Sequence, residues 1–296
     1  MVSSPAPVHR RRYSDEFKPE ADSTKQISEL DRFQADLQRL KRHYGSIKNY
    51  FNSGNGKLYT AIERATGETI ILKEIPKRSS ARYELDGKLC CREIYYHYKA
   101  AKVSKRVVRP LNWFERKHSF VLAMEKPEGY SDVHEICRAY APIDHASCYK
   151  ITVQIARAVA ELRDGGMYHL DIKPDNIMMH MKTLEVKLID FGCAASLEEI
   201  ALSDDNAGTD IYMPPEWTED DAFIAEPAAV WSVGACFYIL SVGEWCIDED
   251  NYLQRCSDAE EHLPKDAVDI IDQALNADPF DRVKLDDLIV HLNALL

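Results

Sequence analysis

The chain has 296 residues, of which 45% are hydrophobic and 29% are charged. This length and apolar content exclude a disordered or fibrous protein and are enough for one large globular domain or two small ones. The formal net charge of −12 argues against nucleic acid or anionic lipid as the main partner, because both are polyanions, and favours cationic partners.

The apolar runs and the cysteines predict whether the protein spans a membrane and whether its thiols are reduced. The longest uncharged apolar stretch, residues 228–242, is shorter than the ~20 residues that a membrane-spanning helix needs. Eight cysteines without a CxxC pair fit neither a disulfide framework nor a zinc site, so we expect reduced thiols. No charged and then apolar leader opens the chain. We therefore expect a soluble monomer in the cytoplasm, with the nucleus as a second location.

Two segments precede the main domain. Residues 1–25 are rich in Pro, Ser and charge and include the basic run 9–12, so we expect a flexible basic tail. The apolar residues of the next segment recur at intervals of three and four, which predicts an amphipathic helix over residues 26–43 that packs on the following domain. They are Ile27, Leu30, Phe33, Leu37 and Leu40.

The rest of the chain changes character near residue 125. Up to residue 124 the pattern predicts a mostly antiparallel sheet with one helix. The predicted strands cover 57–63, 69–75, 107–114 and 119–124, and the predicted helix covers 85–101. After residue 129, helical periodicity dominates. The predicted helices cover 144–165, 228–242, 266–276 and 285–296, with short strands near 177–180 and 186–189. The fold class is therefore α+β with two lobes, a small β-rich lobe followed by a larger helical one.

The polar motifs of the chain occur in a distinctive order. Residues 169–176 read HLDIKPDN and residues 190–192 read DFG, with Lys73 on a predicted strand and Glu93 on a predicted helix upstream. Together they resemble a eukaryotic protein kinase domain. The resemblance implies a bilobal kinase fold over residues 44–296, divided into an N-lobe (44–124), a hinge (125–129) and a C-lobe (130–296). It also implies ATP and Mg²⁺ as cofactors and protein as substrate.

The residue types of these motifs fit phosphoryl transfer, in which the protein holds phosphates, magnesium and a hydroxyl group in line. Asp171 can accept the hydroxyl proton, and Lys173 can neutralise charge on the moving phosphoryl group. Asn176 and Asp190 offer the oxygen ligands that magnesium prefers. We therefore predict Asp171 and Lys173 as catalytic residues and the other two as metal ligands.

The nucleotide site is predicted partly from chemistry and partly from the resemblance. Lys73 can hold the α- and β-phosphates if Glu93 orients it by an ion pair. Taken alone, this pair would be interpreted as a surface salt bridge. The resemblance places further residues around the nucleotide, with Met124 as the gatekeeper. They are Gly54, Gly56, Leu58, Ile71, Met124, Glu125 and Met178.

A closer resemblance is to the PIM family of serine/threonine kinases. It rests mainly on residues 113–116 (WFER), 125–128 (EKPE), 214–217 (PPEW) and 228–232 (AAVWS). Proline at the third position of EKPE is the most diagnostic, because proline has no N–H and leaves the hinge one hydrogen bond to adenine.

The same resemblance assigns two roles outside the nucleotide site. Thr209 lies where serine/threonine kinases place a hydroxyl group against the catalytic Asp and Lys. This position of Thr209 favours serine/threonine specificity. Glu216 is expected to form a buried ion pair with Arg282.

Several positions depart from the kinase pattern. The glycine-rich loop keeps only Gly56 in register, with Gly54 beside it, so we expect weaker contacts to the phosphates. Ile71 replaces a small alanine and could crowd the adenine site. Leu170 replaces the arginine that commonly binds a loop phosphate, so we do not expect control by phosphorylation of the activation segment. His97 takes an aliphatic position and is best interpreted as a satisfied core histidine.

These departures leave two alternatives to an active protein kinase. A pseudokinase would keep the fold and act as a regulatory or scaffold protein with weak or no ATP turnover. A small-molecule phosphotransferase of related fold is disfavoured by the peptide-docking segment 214–217. The active kinase is favoured because the retained polar residues perform transfer, whereas the altered ones tune binding.

Acidic residues predict the charge of the substrate. Asp132, Glu135 and Asp175 lie where arginine-directed kinases contact peptide arginines, and residues 198–221 contain nine Asp and Glu but no Lys or Arg. A solvated acidic loop is the simpler interpretation. Carboxylates there could instead form bidentate pairs with guanidinium groups, so we expect substrates with basic, Arg-containing motifs. Ser14 follows three arginines and is itself such a site.

Overall fold

The computed structural model describes residues 23–53, 56–77, 82–140, 142–202, 208–219, 224–243, 246–247, 253–254 and 263–296. The predicted tail over residues 1–25 therefore lies almost wholly outside the described residues, as does Gly54.

The helices and strands follow one another in two groups. The helices are α1 (Ser23–His43), α2 (Arg92–Val103), α3 (Val133–Tyr140), α4 (His145–Asp164), α5 (Leu197–Leu202), α6 (Glu216–Glu219), α7 (Ala225–Val242), α8 (Lys265–Ala274) and α9 (Leu285–Asn293). The strands are β1 (Tyr44–Ser53), β2 (Gly56–Glu63), β3 (Thr69–Pro76), β4 (Tyr83–Leu85), β5 (Lys88–Cys90), β6 (Pro110–Glu115), β7 (Ser119–Glu125), β8 (Tyr130–Asp132), β9 (Ile177–His180), β10 (Val186–Leu188), β11 (Cys246–Ile247) and β12 (Leu253–Gln254).

The N-lobe is a five-stranded antiparallel sheet in the order β1-β2-β3-β7-β6. Successive side chains of β3 lie on opposite faces of the sheet, with Ile70 and Leu72 on one face and Ile75 on the other. One face carries a cluster of buried residues around Ile94 of α2, and the other carries a cluster with Leu40 of α1. The sheet is therefore covered by α2 on one face and by the end of α1 on the other.

Helix α1 spans the residues predicted as an amphipathic helix, 26–43, and begins three residues earlier. It packs along the outer strand β6. Arg39 donates from Nη2 to the carbonyl of Trp113 at 2.6 Å, and the amide of Glu115 donates to Asp36 at 2.8 Å. Because β6 is the end strand of the sheet, these bonds satisfy main-chain groups that an edge strand leaves unpaired.

The single helix predicted over residues 85–101 is wrong in its first part. Residues 83–90 form the hairpin β4–β5, and α2 begins only at Arg92. Asp86 and Gly87 have φ values of 50° and 75°, which is the geometry of a two-residue hairpin turn with Asp-Gly at its centre. The strand predicted over 107–114 also begins later, at Pro110, since Val107 forms only an isolated bridge to Leu188.

The C-lobe is built around α4 and α7. The helices predicted over 144–165, 228–242 and 266–276 are confirmed, and the last predicted helix ends at Asn293. Helix α7 is long and apolar enough to cross a membrane by composition, but 72% of that segment is buried inside the protein. That burial identifies it as the central core helix of the lobe, which supports the loops that carry the polar motifs.

Candidate active site

The sheet register brings the predicted nucleotide-binding residues of the N-lobe onto one face. Leu58 of β2 pairs with Lys73 of β3, and Ile71, two residues before Lys73, pairs with Met124 of β7. Residues two apart on a strand share a face. Ile71, Met124 and Met178 of β9 also belong to one apolar cluster, so the sheet and β9 together form an apolar surface on the same side of the sheet as Lys73.

Lys73 lies at the centre of a buried charge cluster. Its Nζ is 2.7 Å from Oε1 of Glu93 on α2 and 2.9 Å from Oδ2 of Asp190. Burial alone would lower the pKa of Lys73, but the two carboxylates raise it above its ordinary value. Burial opposes ionisation of Asp190 as well, yet Lys73 holds the pKa of Asp190 below its ordinary value. The predicted pairing of Lys73 with Glu93 is therefore present, and α2 lies close against the sheet.

The phenylalanine of the DFG motif is packed between two histidines. Phe191 is fully buried, 5.0 Å from the ring of His97 and 4.8 Å from the ring of His169. His97 Nε2 lies 2.6 Å from the carbonyl of Val108. Burial lowers the pKa of His97 to about 4, so its ring is neutral near pH 7. It is a core histidine, as predicted, and it joins α2 to the segment before β6. It is satisfied at Nε2 only, because its buried Nδ1 has no hydrogen-bond partner.

Three predicted residues surround the carboxylate of Asp171, two from the catalytic loop and one from the activation segment. Asp171 accepts a hydrogen bond from Thr209 Oγ1 at 2.7 Å and lies 2.9 Å from Lys173 Nζ. Lys173 also donates to Thr209. Asn176 donates from Nδ2 to the main-chain carbonyl and to Oδ2 of Asp171, both at 2.8 Å. The carboxylate of Asp171 is thereby fixed in position, and it faces the hydroxyl group of Thr209, as the sequence predicted.

Main-chain geometry near this carboxylate is unusual. Leu170 and Asp190 have φ values of 61° and 63°, in the left-handed region that a leucine rarely adopts. Such conformations persist where the surrounding structure holds them, and they concentrate at functional sites. Gly208 allows a close approach here, because a Cβ at this position would lie 2.8 Å from the carbonyl of Leu170.

The predicted magnesium ligands fit a site of the kind that magnesium uses with nucleotides. Asn176 bonds through its Nδ2, so its Oδ1 is left for a cation, and Asp190 presents a carboxylate held ionised by Lys73. No group of three or more His, Cys, Asp or Glu side chains arranged for a metal ion occurs in the described residues. Magnesium needs only one or two such protein ligands when phosphates and waters complete its shell.

The backbone of the glycine-rich loop is described on both sides of residues 54 and 55, with Ser53 of β1 paired with Gly56 of β2. A Cβ on Gly56 would lie 2.5 Å from the main-chain carbonyl of Glu74, so glycine is required for β2 to approach β3 beside Lys73. The prediction for Gly54 lies outside the described residues.

The hinge residue Glu125 uses its side chain to join the lobes. Its carboxylate forms ion pairs with Lys187 of β10 and, at 3.5 Å, with Arg109. Although burial opposes ionisation, bonds from Lys187 and from the amide of Arg109 hold the pKa of Glu125 below its ordinary value. The amide of Glu125 also donates to the carbonyl of Arg109 at 3.0 Å, and its predicted contact with a nucleotide stays a prediction.

Two residues counted in the acidic activation segment serve other contacts. Glu216 forms the predicted buried pair with Arg282, at 2.7 and 2.8 Å. Glu199 accepts hydrogen bonds from tyrosines of the N-lobe. The expectation that the acidic residues of segment 198–221 pair with arginines of the peptide is thus wrong for these two residues. Sequence reasoning missed the role of Glu199, although Ser196-x-x-Glu199 is the signature of a helix capping box.

Comparison with known proteins agrees with this geometry. The sequence matches the protein kinase domain family over residues 52–292. Serine/threonine-protein kinase pim-2 of Danio rerio is 28% identical over 187 residues, 62% of this chain and 60% of pim-2. Serine/threonine-protein kinase prk-2 of Caenorhabditis elegans is 28% identical over 266 residues, 86% of this chain and 59% of prk-2. Myosin light chain kinase 3 of Homo sapiens is 29% identical over 232 residues, 74% of this chain and 28% of that kinase.

The chain thus spans at most about 60% of the length of these relatives. The family match covers both lobes, including Lys73, Glu93 and the two motifs at 169–176 and 190–192. The chain therefore belongs to the protein kinase family.

Proposed function

We propose that the protein is an active serine/threonine kinase that transfers the γ-phosphate of ATP to protein hydroxyl groups. The observation that carries this proposal is the assembled polar site, in which α2 supplies Glu93 to Lys73 while Asp190 and the catalytic loop stand in place. A protein that needed only the fold would have no use for burying Lys73 between two carboxylates, because desolvating charged groups is unfavourable.

The described residues divide the work of transfer. Asp171 orients the substrate hydroxyl group and accepts its proton, and Lys173, 2.9 Å away, stabilises negative charge on the moving phosphoryl group. Lys73 holds the α- and β-phosphates, oriented by Glu93. Asn176 and Asp190 would hold Mg²⁺, which supplies charge neutralisation of the phosphates when bound.

Magnesium-dependent transfer from ATP to an arginine-containing peptide tests this function, with Asp171→Asn as the matched variant. Asn keeps the shape and the hydrogen bond from Thr209 but cannot accept the proton. We expect transfer by the wild-type protein and loss of it in the variant. Equal background signal from both proteins would overturn the proposal.

The second candidate, a pseudokinase, is favoured by one observation. Ile71 lies on the cleft face of the sheet opposite Met124, so its side chain reduces the space for adenine.

If Ile71 acts by crowding the base, Ile71→Ala lowers the KM for ATP and leaves kcat nearly unchanged. Calorimetry with Mg²⁺-ATP measures the same effect as tighter binding. Unchanged nucleotide affinity in this variant would show that Ile71 does not crowd the adenine site.

The three acidic residues assigned to substrate recognition lie around α3. Asp132 accepts from the amide of Glu135 at 2.7 Å, Glu135 pairs with Arg138 at 3.0 Å, and Asp175 lies 3.7 Å from His134. The Glu135–Arg138 pair is exposed and therefore weak. A peptide arginine can displace Arg138 and form a bidentate bond that lysine cannot match.

We therefore expect a preference for arginine several residues before the target Ser or Thr. A peptide array with Arg, Lys or Ala at each upstream position measures it, and Asp132→Ala combined with Asp175→Ala is expected to reduce the preference about tenfold. An arginine that gives no gain over alanine, or a preference unchanged in the double variant, contradicts this assignment. Ser14 in the tail would be one such target.

A further inference from the structure

Helix α5, which follows the DFG motif, is fastened to α2 by one carboxylate. Glu199 accepts a hydrogen bond from Tyr83 through Oε1 at 2.6 Å and another from Tyr96 of α2 through Oε2. Arg92 at the start of α2 donates to the Tyr83 hydroxyl group at 3.2 Å. We call Glu199, Tyr83 and Tyr96 the clasp.

The clasp is rigid on the activation-segment side. Ser196 and Glu199 cap α5 reciprocally, since Ser196 N donates to Glu199 Oε2 at 3.0 Å and Glu199 N donates to Ser196 Oγ at 3.3 Å. Ser196 N also donates to the Tyr96 hydroxyl group at 2.9 Å. Just before it, Ala195 exchanges two main-chain hydrogen bonds with Tyr168, which precedes the catalytic loop. The carboxylate is therefore held in place before it meets the N-lobe.

The clasp is rigid on the α2 side as well. Tyr83, Tyr95 and Tyr96 form a cluster with ring centroids 5.0 to 5.8 Å apart, and Tyr96 is only 2% exposed. Tyr96 follows Glu93 by three residues, so the two side chains lie on neighbouring parts of the helix surface. A contact that fixes Tyr96 therefore also fixes the helix position from which Glu93 reaches Lys73.

We propose that Glu199 is a positioning residue for phosphoryl transfer, which holds α2 in the position that pairs Glu93 with Lys73. This rests on the proposed kinase activity. Leu170 offers no cation to a phosphate on the activation segment, and Glu199 provides a permanent attachment in its place. Because its N-lobe donors are neutral phenols, an uncharged acceptor can replace the carboxylate, which is the property that distinguishes the clasp from an ion pair.

Four variants of the full chain test the clasp. Glu199→Ala removes the acceptor, Glu199→Gln keeps one and preserves the capping box, and Tyr96→Phe removes only the hydroxyl group. Glu84→Ala is the matched control, because Glu84 is an exposed carboxylate beside Tyr83 on β4 and lies outside the acidic segment assigned to the peptide. Each is measured by kcat and KM for the peptide, and by hydrogen exchange of the amides of residues 92–103.

We expect Glu199→Ala to lower kcat about tenfold with little change in the KM for the peptide, and to speed exchange in α2. Glu199→Gln should recover most of the activity, and Glu84→Ala should resemble the wild-type protein. In the double variant, the losses of kcat caused by Glu199→Ala and Tyr96→Phe should not add, since both substitutions break the same contact.

Effects of Glu199→Ala that match those of Glu84→Ala, or that add fully to those of Tyr96→Phe, would overturn the proposal. Unchanged hydrogen exchange in α2 would overturn it as well. If the wild-type protein transferred no phosphate, the proposed function would fail. The exchange measurement would then still decide whether the clasp holds α2.

Discussion

Lys73→Met is expected to lower kcat by about a thousandfold, because it removes the only cation that contacts both Glu93 and Asp190 in the described site. Methionine has nearly the shape of the lysine stem, so β3 can keep its pairing with β2 and β7. Burial already raises the pKa of Glu93 to about 7, and this carboxyl group can take up a proton when its partner is lost. The fold should therefore survive while transfer does not.

Steady-state transfer to the peptide and thermal unfolding together check this expectation. Lys77→Met serves as the matched control. Lys77 comes directly after β3 and, like Lys73, pairs with a buried carboxylate, that of Glu115 at 2.8 Å, but outside the cleft. Activity in Lys73→Met equal to that of Lys77→Met would contradict the role assigned to Lys73.

The residues of the site could be predicted because their chemistry restricts both identity and order. Phosphoryl transfer requires a base, cations and oxygen ligands, and Asp171, Lys73 and Asn176 can be recognised without knowing any distance. The long helix α4 was also predictable, since its apolar residues recur with a helical period over many residues. Helix α7 is apolar on nearly all sides, so the length of its apolar run, and not a period, is the signal that predicts it.

Contacts between distant segments could not be predicted in the same way. Hydrogen bonds of Arg39 and Asp36 to β6 join residues more than seventy positions apart, and no local pattern encodes them. Glu199 was counted as one acidic residue among many, because sequence shows charge but not which neighbour receives the hydrogen bond. The β4–β5 hairpin was different, since Asp86-Gly87 is a local turn signal that outweighs helical propensity.

Glu216 and Arg282 form the buried ion pair whose loss should have the largest effect on stability. The Arg282 side chain is fully buried and donates to both carboxylate oxygens of Glu216, at 2.7 and 2.8 Å. It also donates to the carbonyls of Pro227 and Asn276, each at 2.9 Å, and lies 5.1 Å from the ring of Trp231. The guanidinium group of Arg282 therefore joins the activation segment, which contains Glu216, to α7 and to the loop after α8.

Arg282→Ala is expected to lower the free energy of unfolding by about 3–5 kcal/mol, because it leaves Glu216 buried without a cation. Arg282→Lys should recover only part of this, since an ammonium group cannot make the bidentate contact and serve the carbonyls as well. Arg138→Ala is the control, since that arginine forms an exposed pair with Glu135 and its loss should change stability by less than about 1 kcal/mol. Urea unfolding measures all three variants, and a loss in Arg282→Ala no larger than that in Arg138→Ala would show that the buried pair does not hold the activation segment to the C-lobe.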